Sequence, residues 1–149
     1  MTSNTSTNHV WIFQGNPDDF DIDSYLAGSP EVLWSVNQKH FTARMLPGDA
    51  VYFWRAAGKE KAVSGIIAKA RILELPRLQD EDPAAVQLWT TDKKPLPGLK
   101  VRLRLEQVAT SKQVIKRNWL QDDPILRSLR ILRMANETNY LVPESCIPR

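Results

Sequence analysis

Between residues 99 and 106, apolar and charged side chains alternate without a break. Leu99, Val101, Leu103 and Leu105 share one face of an extended chain, and Lys100, Arg102, Arg104 and Glu106 share the other. A period of two sustained over that length describes a strand buried on one side, and no helix satisfies it. The chain therefore requires a sheet, and part of its outer face is basic. Further β-branched and aromatic runs supply partners at residues 9–14 (HVWIFQ), 32–36, 50–55 (AVYFWR), 62–75, 86–90 and 140–142, with Gly65 as an irregularity in the long run. Gly15-Asn16-Pro17, Gly28-Ser29-Pro30, Leu46-Pro47-Gly48-Asp49, and residues 57–61, 76–83 and 91–98 separate them as turns and loops, and residues 38–45 connect. Short helices are expected from Asp23-Ser24 through Ala27, over 112–120, over 124–129 behind Asp122 and Asp123, and from Pro143 onward. The expected class is α+β, mainly β, a small curled sheet or partly open barrel with short flanking helices.

The 149 residues fit one domain. The polar opening MTSNTSTN (1–8) reads as a disordered start, and 9–149 as a single folded unit. With 42% hydrophobic and 25% charged residues, the chain is neither a disordered tail nor a membrane protein. No stretch approaches the roughly 18 apolar residues of a spanning helix, and the opening lacks a signal peptide's charged and apolar regions. Cys146 is the single cysteine, which rules out an internal disulfide, and two histidines beside it cannot complete a four-ligand zinc site. These features read as a cytoplasmic chain without a membrane partner.

The catalytic inventory is poor. A Cys/His nucleophile pair would have to join Cys146 to His9 or His40, and no nucleophile elbow, zincin helix or phosphate-binding loop motif occurs. Asp18, Asp19, Asp21 and Asp23 lack the glycine and final glutamate of a calcium loop and read as a solvated acidic turn. No catalytic residue, metal or cofactor is expected.

Two features point instead to binding. Net charge is only +3, yet residues 100–133 hold nine basic groups against three acidic ones, a footprint suited to a polyanion. Five tryptophans, Trp11, Trp34, Trp54, Trp89 and Trp119, fall in or beside different β segments. Amides lie near several of them: Gln14, Asn16, Asn37 and Asn118. Stacking faces beside amides are what a nucleobase pocket requires, although tryptophan in a small β domain also serves as core.

Residues 10–17 (VWIFQGNP), 33–37 (LWSVN), 47–54 (PGDAVYFW) and 64–66 (SGI) occur in the order found in EVE domains, which the chain resembles from about His9 to Val142. These are PUA-like domains related to YTH domains, and residues 129–142 (LRILRMANETNYLV) resemble the family's closing strand–turn–strand. The opening and the FWRA strand look most like EVE domains that stand alone or are attached to modification-dependent restriction nucleases. The resemblance implies a small, partly open β-barrel that reads a modified base, methylated or hydroxymethylated, taken out of the stack into an aromatic cage. It favours DNA over RNA. A YTH-like reader of modified RNA, or a sensor of a small molecule or nucleotide, is the alternative.

By the same resemblance, Trp34-Ser35 matches the step that forms one pocket wall in YTH domains, and Trp89 falls near the second wall. Gln14, Asn16 and Asn37 match polar positions near the base edge, and Trp54 follows the Gly-Asp turn as a lining or underlying aromatic. Where many EVE domains carry Asn-Tyr-Gln-Ala-Arg, this chain has NQKHFTAR over 37–44. Trp11 reads as core, and Trp119 has no counterpart. Phosphates would meet Lys100, Arg102, Arg104, Lys112, Lys116 and Arg117. A fused or associated nuclease is the implied partner besides nucleic acid.

Overall fold

The computed structural model describes residues 8–57, 64–89, 97–110 and 113–146. The alternating run forms strand β6 (Gly98–Val108), the longest at 11 residues. One edge of β6 pairs antiparallel with β2 (Glu31–Ser35), and the other with β5 (Arg77–Gln79) and then β4 (Gly65–Ile72). Beyond β4 come β3 (Ala50–Arg55) and β1 (Val10–Gly15), which run parallel to each other, and then β8 (Asn139–Leu141), antiparallel to β1. A two-residue strand, β7 (Ile115–Lys116), adds to the start of β4. Among the described residues, all eight strands make one sheet in the order β2-β6-β4-β3-β1-β8, with β5 and β7 off this path. Register shifts at Phe53/Trp54 and at Lys69/Ala70 bend it, as extra residues in a ladder do. The mainly β architecture with short helices is the one expected.

Period-two alternation gives β1 and β3 two working faces. Trp11, Phe13, Val51 and Phe53 point into a larger core with Ile22, Leu26, Val32, Trp34, Val101 and Leu103. Ile12 and Trp54 point the other way, into a second cluster with Leu120, Leu129, Ile131, Tyr140 and Cys146. Helix α1 (Ile22–Gly28) follows β1, and α2 (Pro83–Val86) follows β5; α3 (Arg117–Asp122) and α4 (Arg130–Arg133) contribute to the second cluster.

One buried carboxylate ties the turn before β3 to β1. Asp49 is fully buried and accepts from the N–H groups of His9 (3.0 Å) and Leu46 (3.0 Å) and from Trp11 Nε1 (2.9 Å). Three donors compensate a charge that would otherwise be costly to bury. The turn itself needs Gly48, whose φ of +92° disfavours any side chain. Gly65, the irregularity read from the sequence, has φ +148°, and a Cβ there would stand 2.1 Å from the Ile115 carbonyl oxygen.

Several local expectations are corrected. Residues 86–89 are not a strand, and Thr90 falls outside the described residues: Asp82 caps α2 by accepting from Ala84 N, Pro83 opens the helix, and of 86–89 only Trp89 bridges to another segment. The 76–83 loop contains β5. Where a helix over 112–120 is expected, the described residues 113–120 hold β7 followed by the start of α3, and 126–128 is a single 3₁₀ turn, with Asp123 accepting from the Ile125 and Leu126 N–H groups. The cap of α1 is Asp21, which accepts from Ser24 N at 3.2 Å. The disordered start, the 57–61 loop and the 91–98 loop fall wholly or mostly outside the described residues.

Candidate functional site

Gly15 closes β1 without a side chain. A Cβ there would lie 2.8 Å from Ile22 Cδ1 and 3.1 Å from the Trp34 ring, so only glycine lets that indole lie against the strand. Trp34, on β2, is then fixed by three aromatic neighbours. Phe53 meets it edge-on at 4.9 Å, Phe20 at 6.0 Å, and Tyr25 lies nearly parallel at 6.5 Å. Only 7% of Trp34 remains exposed. Edge-to-face contacts of this kind hold an indole in one orientation.

Beside this wall lies a cavity of about 470 Å³, bounded by the end of β1, by β2, by the segment around α2 and by the turn before β8. Its second aromatic is Trp89. An isolated bridge pairs Trp89 with Phe20, whose ring is 4.9 Å away, and its indole N–H donates to Glu81 Oε2 at 3.1 Å. Tyr25 locks this segment to β2: its hydroxyl donates to Asp82 Oδ2 (2.7 Å) and accepts from Leu33 N (2.7 Å). Burial pushes the Tyr25 phenol well above its usual range, and the nearby Asp82 and Glu81 carboxylates add to the effect.

Behind the cavity the polar groups are linked. Lys100 Nζ donates to Ser35 Oγ at 3.2 Å and pairs with Glu81 Oε1 at 3.8 Å. Asn139, fully buried, accepts from the backbone N–H groups of Asn37 (2.8 Å) and Gln38 (3.3 Å) and donates to the Ser35 carbonyl (3.1 Å). The amide of Gln14 donates to the carbonyls of Ala135 (3.0 Å) and Glu137 (2.8 Å), and that of Asn37 donates to Thr138 Oγ1 (2.7 Å). These side chains hold the closing turn as a rim. Asn16 Oδ1 accepts from Asp18 N at 2.9 Å and starts the turn that delivers Phe20.

The structure brings Gln14, Asn16, Trp34, Ser35, Asn37 and Trp89 to this one cavity. Trp54 is absent from it. The side chain after Phe53 on a strand must face the opposite side, so Trp54 is fully buried in the second cluster and Phe53 is the residue beneath Trp34. Trp11 is core, as read.

The basic face is also corrected. Lys100 is only 3% exposed and turned to Ser35 and Glu81, so it presents no charge to solvent. Arg102 lies 3.7 Å from Glu31 and 3.8 Å from Glu74. Arg104 and Lys116 are exposed, the latter with its ammonium 5.8 Å over the Trp119 ring. Arg117 donates to the Leu132 carbonyl at 3.1 Å, and Lys112 falls outside the described residues.

Sequence reasoning missed Phe20, Tyr25, Glu81 and Asn139. Asp82-Pro83 is a readable helix start, but nothing local marks Glu81 beside it, and Asn139 acts on residues about 100 positions away.

The EVE domain family matches residues 9–146. No curated protein matches the chain. Among solved structures, a protein from Pseudomonas putida is 21% identical with a TM-score of 0.63, covering 92% of this chain and 93% of that one. A hypothetical protein from Leishmania major is 20% identical (TM-score 0.62), covering 95% and 91%. Human THYN1 protein, solved in complex with 5-methylcytosine-containing DNA, is 14% identical (TM-score 0.65), covering 93% of each. At these identities the likeness establishes the fold.

Proposed function

The chain belongs to the EVE domain family and has its PUA-like fold, and from that premise we propose that it is a non-catalytic reader of a modified base, methylated or hydroxymethylated, in DNA. The base leaves the stack and enters the cavity between Trp34 and Trp89. The observation that carries this reading is the cavity itself. At about 470 Å³, it lies within the roughly 300–1,000 Å³ of ligand sites and joins an aromatic wall to a polar back. Stacking on an aromatic contributes about 1–3 kcal/mol per base, enough to offset much of the few kcal/mol that extruding one nucleotide costs. That one relative was solved with 5-methylcytosine-containing DNA supports the choice of ligand.

Phosphate contacts fall to Lys116 and Arg104 rather than to Lys100. Lys116 stands on the rung Gly15–Arg55–Gly65–Lys116, so it sits roughly 14 Å across the sheet from the mouth of the cavity, at about 4.8 Å per strand. Cleavage of the recognised DNA would belong to a fused or associated nuclease.

The test is a titration with matched oligonucleotides carrying methylcytosine, hydroxymethylcytosine, methyladenine or no modification, at two salt concentrations. At least one modified strand should bind more tightly than the unmodified one, and Trp34→Phe should erode that preference. Equal affinity for all four removes the reading. Tighter binding of the matched RNA would favour the YTH-like alternative. A free nucleoside binding as tightly as the strand, with little salt dependence, would favour a small-molecule sensor.

A further inference from the structure

The carboxylate of Glu81 joins the two sides of the cavity. It receives the Trp89 indole N–H on Oε2 (3.1 Å), and on Oε1 the Asp82 backbone N–H (3.0 Å) and the Lys100 ammonium (3.8 Å). A carboxylate offers about four acceptor positions, so one remains, on Oε2. Ser35 is in the reciprocal condition. Its oxygen accepts from Lys100 at 3.2 Å, and among the described residues its own hydroxyl proton has no acceptor. Both residues line the cavity. Because one ammonium touches both, Ser35 Oγ and the Glu81 carboxylate are held side by side at the back of the cavity, Oγ and Oε1 at most about 7 Å apart.

We propose that Ser35 as donor and Glu81 as acceptor, set by the buried Lys100, select a base whose pairing edge carries a ring-nitrogen acceptor beside an amino donor. This inference rests on the reading of the cavity as a base pocket. Cytosine (N3 beside the 4-amino group) and adenine (N1 beside the 6-amino group) present that pattern. Thymine and uracil present the reverse, a ring N–H beside a carbonyl oxygen, and would face a carboxylate with an oxygen. A buried polar group left facing the wrong partner is the strongest source of discrimination a pocket of this size has. Lys100 is a positioning residue: 3% exposed, it reaches no phosphate.

The test uses short single-stranded oligonucleotides with one central 5-hydroxymethylcytosine or 5-hydroxymethyluracil, which differ only in that edge and owe nothing to base pairing. The full chain should bind the cytosine form about tenfold more tightly, the discrimination that one good pair supplies. Glu81→Gln, which replaces one carboxylate oxygen by an amino group, should level the ratio. Lys100→Met should level it too while leaving the salt slope of binding unchanged, which a phosphate contact would not. If the two strands bind equally, or if Glu81→Gln keeps the full preference, the edge assignment is overturned while modified-base reading stands. If neither strand binds better than its unmodified counterpart, and no modified strand of the first titration does either, the reading of the pocket fails, and this inference with it. Should either variant not fold, the comparison on the unaltered chain decides alone.

Discussion

The two faces of the β1–β3 pair are both built on tryptophan, and they end differently. On one, Trp54 sits with Ile12, Tyr140 and Ile131, closed over by the carboxyl-terminal helices with no exposed surface left. On the other, Phe13 and Phe53 support Trp34, whose far side meets a cavity of about 470 Å³. The difference does not come from aromatic content. It comes from what fails to close: a glycine at the end of β1 and a polar back, Ser35, Lys100 and Glu81, where the second cluster is built from aliphatic side chains, Cys146 and two tyrosines. A tryptophan becomes a wall when its surroundings leave part of it bordering open space.

The comparison is broken most forcefully at Trp54. Trp54→Ala empties a fully buried site and should cost about 3–5 kcal/mol in denaturant unfolding. Any protein that remains folded should keep the proposed preference for modified DNA, because the cavity lies on the other face. A Trp54 variant that folds normally yet loses that preference would return Trp54 to the pocket. Gly15→Ala strikes the open face. The new methyl meets Ile22 and Trp34 at 2.8 and 3.1 Å, so overpacking should cost about 1–3 kcal/mol and shift the wall. Binding should weaken more than stability does; unchanged binding would show that the indole has room to give.

Tyr25 sharpens the contrast through pH. Its pKa is raised in the folded state by burial, so its contribution is fully present below the unfolded value of about 10 and is lost as pH rises above it. Stability measured from pH 8 to 11 should fall at the alkaline end, in part because Tyr140 is raised in the same direction. Tyr25→Phe should flatten that fall; an identical profile would mean the phenol is not buried as described. The smallest effect belongs to Trp119, 53% exposed. Trp119→Ala should change stability by less than about 0.5 kcal/mol, and a thermal melt that drops sharply would place it in a core.

The strands were legible because alternation and β-branched runs are local signals. The same alternation, applied to Phe53 and Trp54, also says they face apart, but it cannot say which side holds a cavity. Lys100 shows the limit most clearly. Its register with Arg102 and Arg104 was right, and its exposure was not, because Glu81 and Ser35 reach it from distant parts of the chain. Residues 86–89 have the apolar content of a strand, but the Asp82-Pro83 helix start beside them outweighs it. Gln14, Trp34 and Trp89 were placed by likeness to a family, and their partners were found only in the folded chain.

The bonds from Gln14 to Glu137 and from Asn37 to Asn139 join residues 123 and 102 positions apart. The rim of the cavity is thus made by segments that leave the ribosome far apart in time. Until the stretch around Asn139 has emerged, the wall that Trp34 supplies has no opposite side to set against it. Contacts of such separation form late in folding. A chain whose closing strand has not docked therefore lacks one side of the cavity, and an intact cavity becomes a report on whether the whole domain has closed.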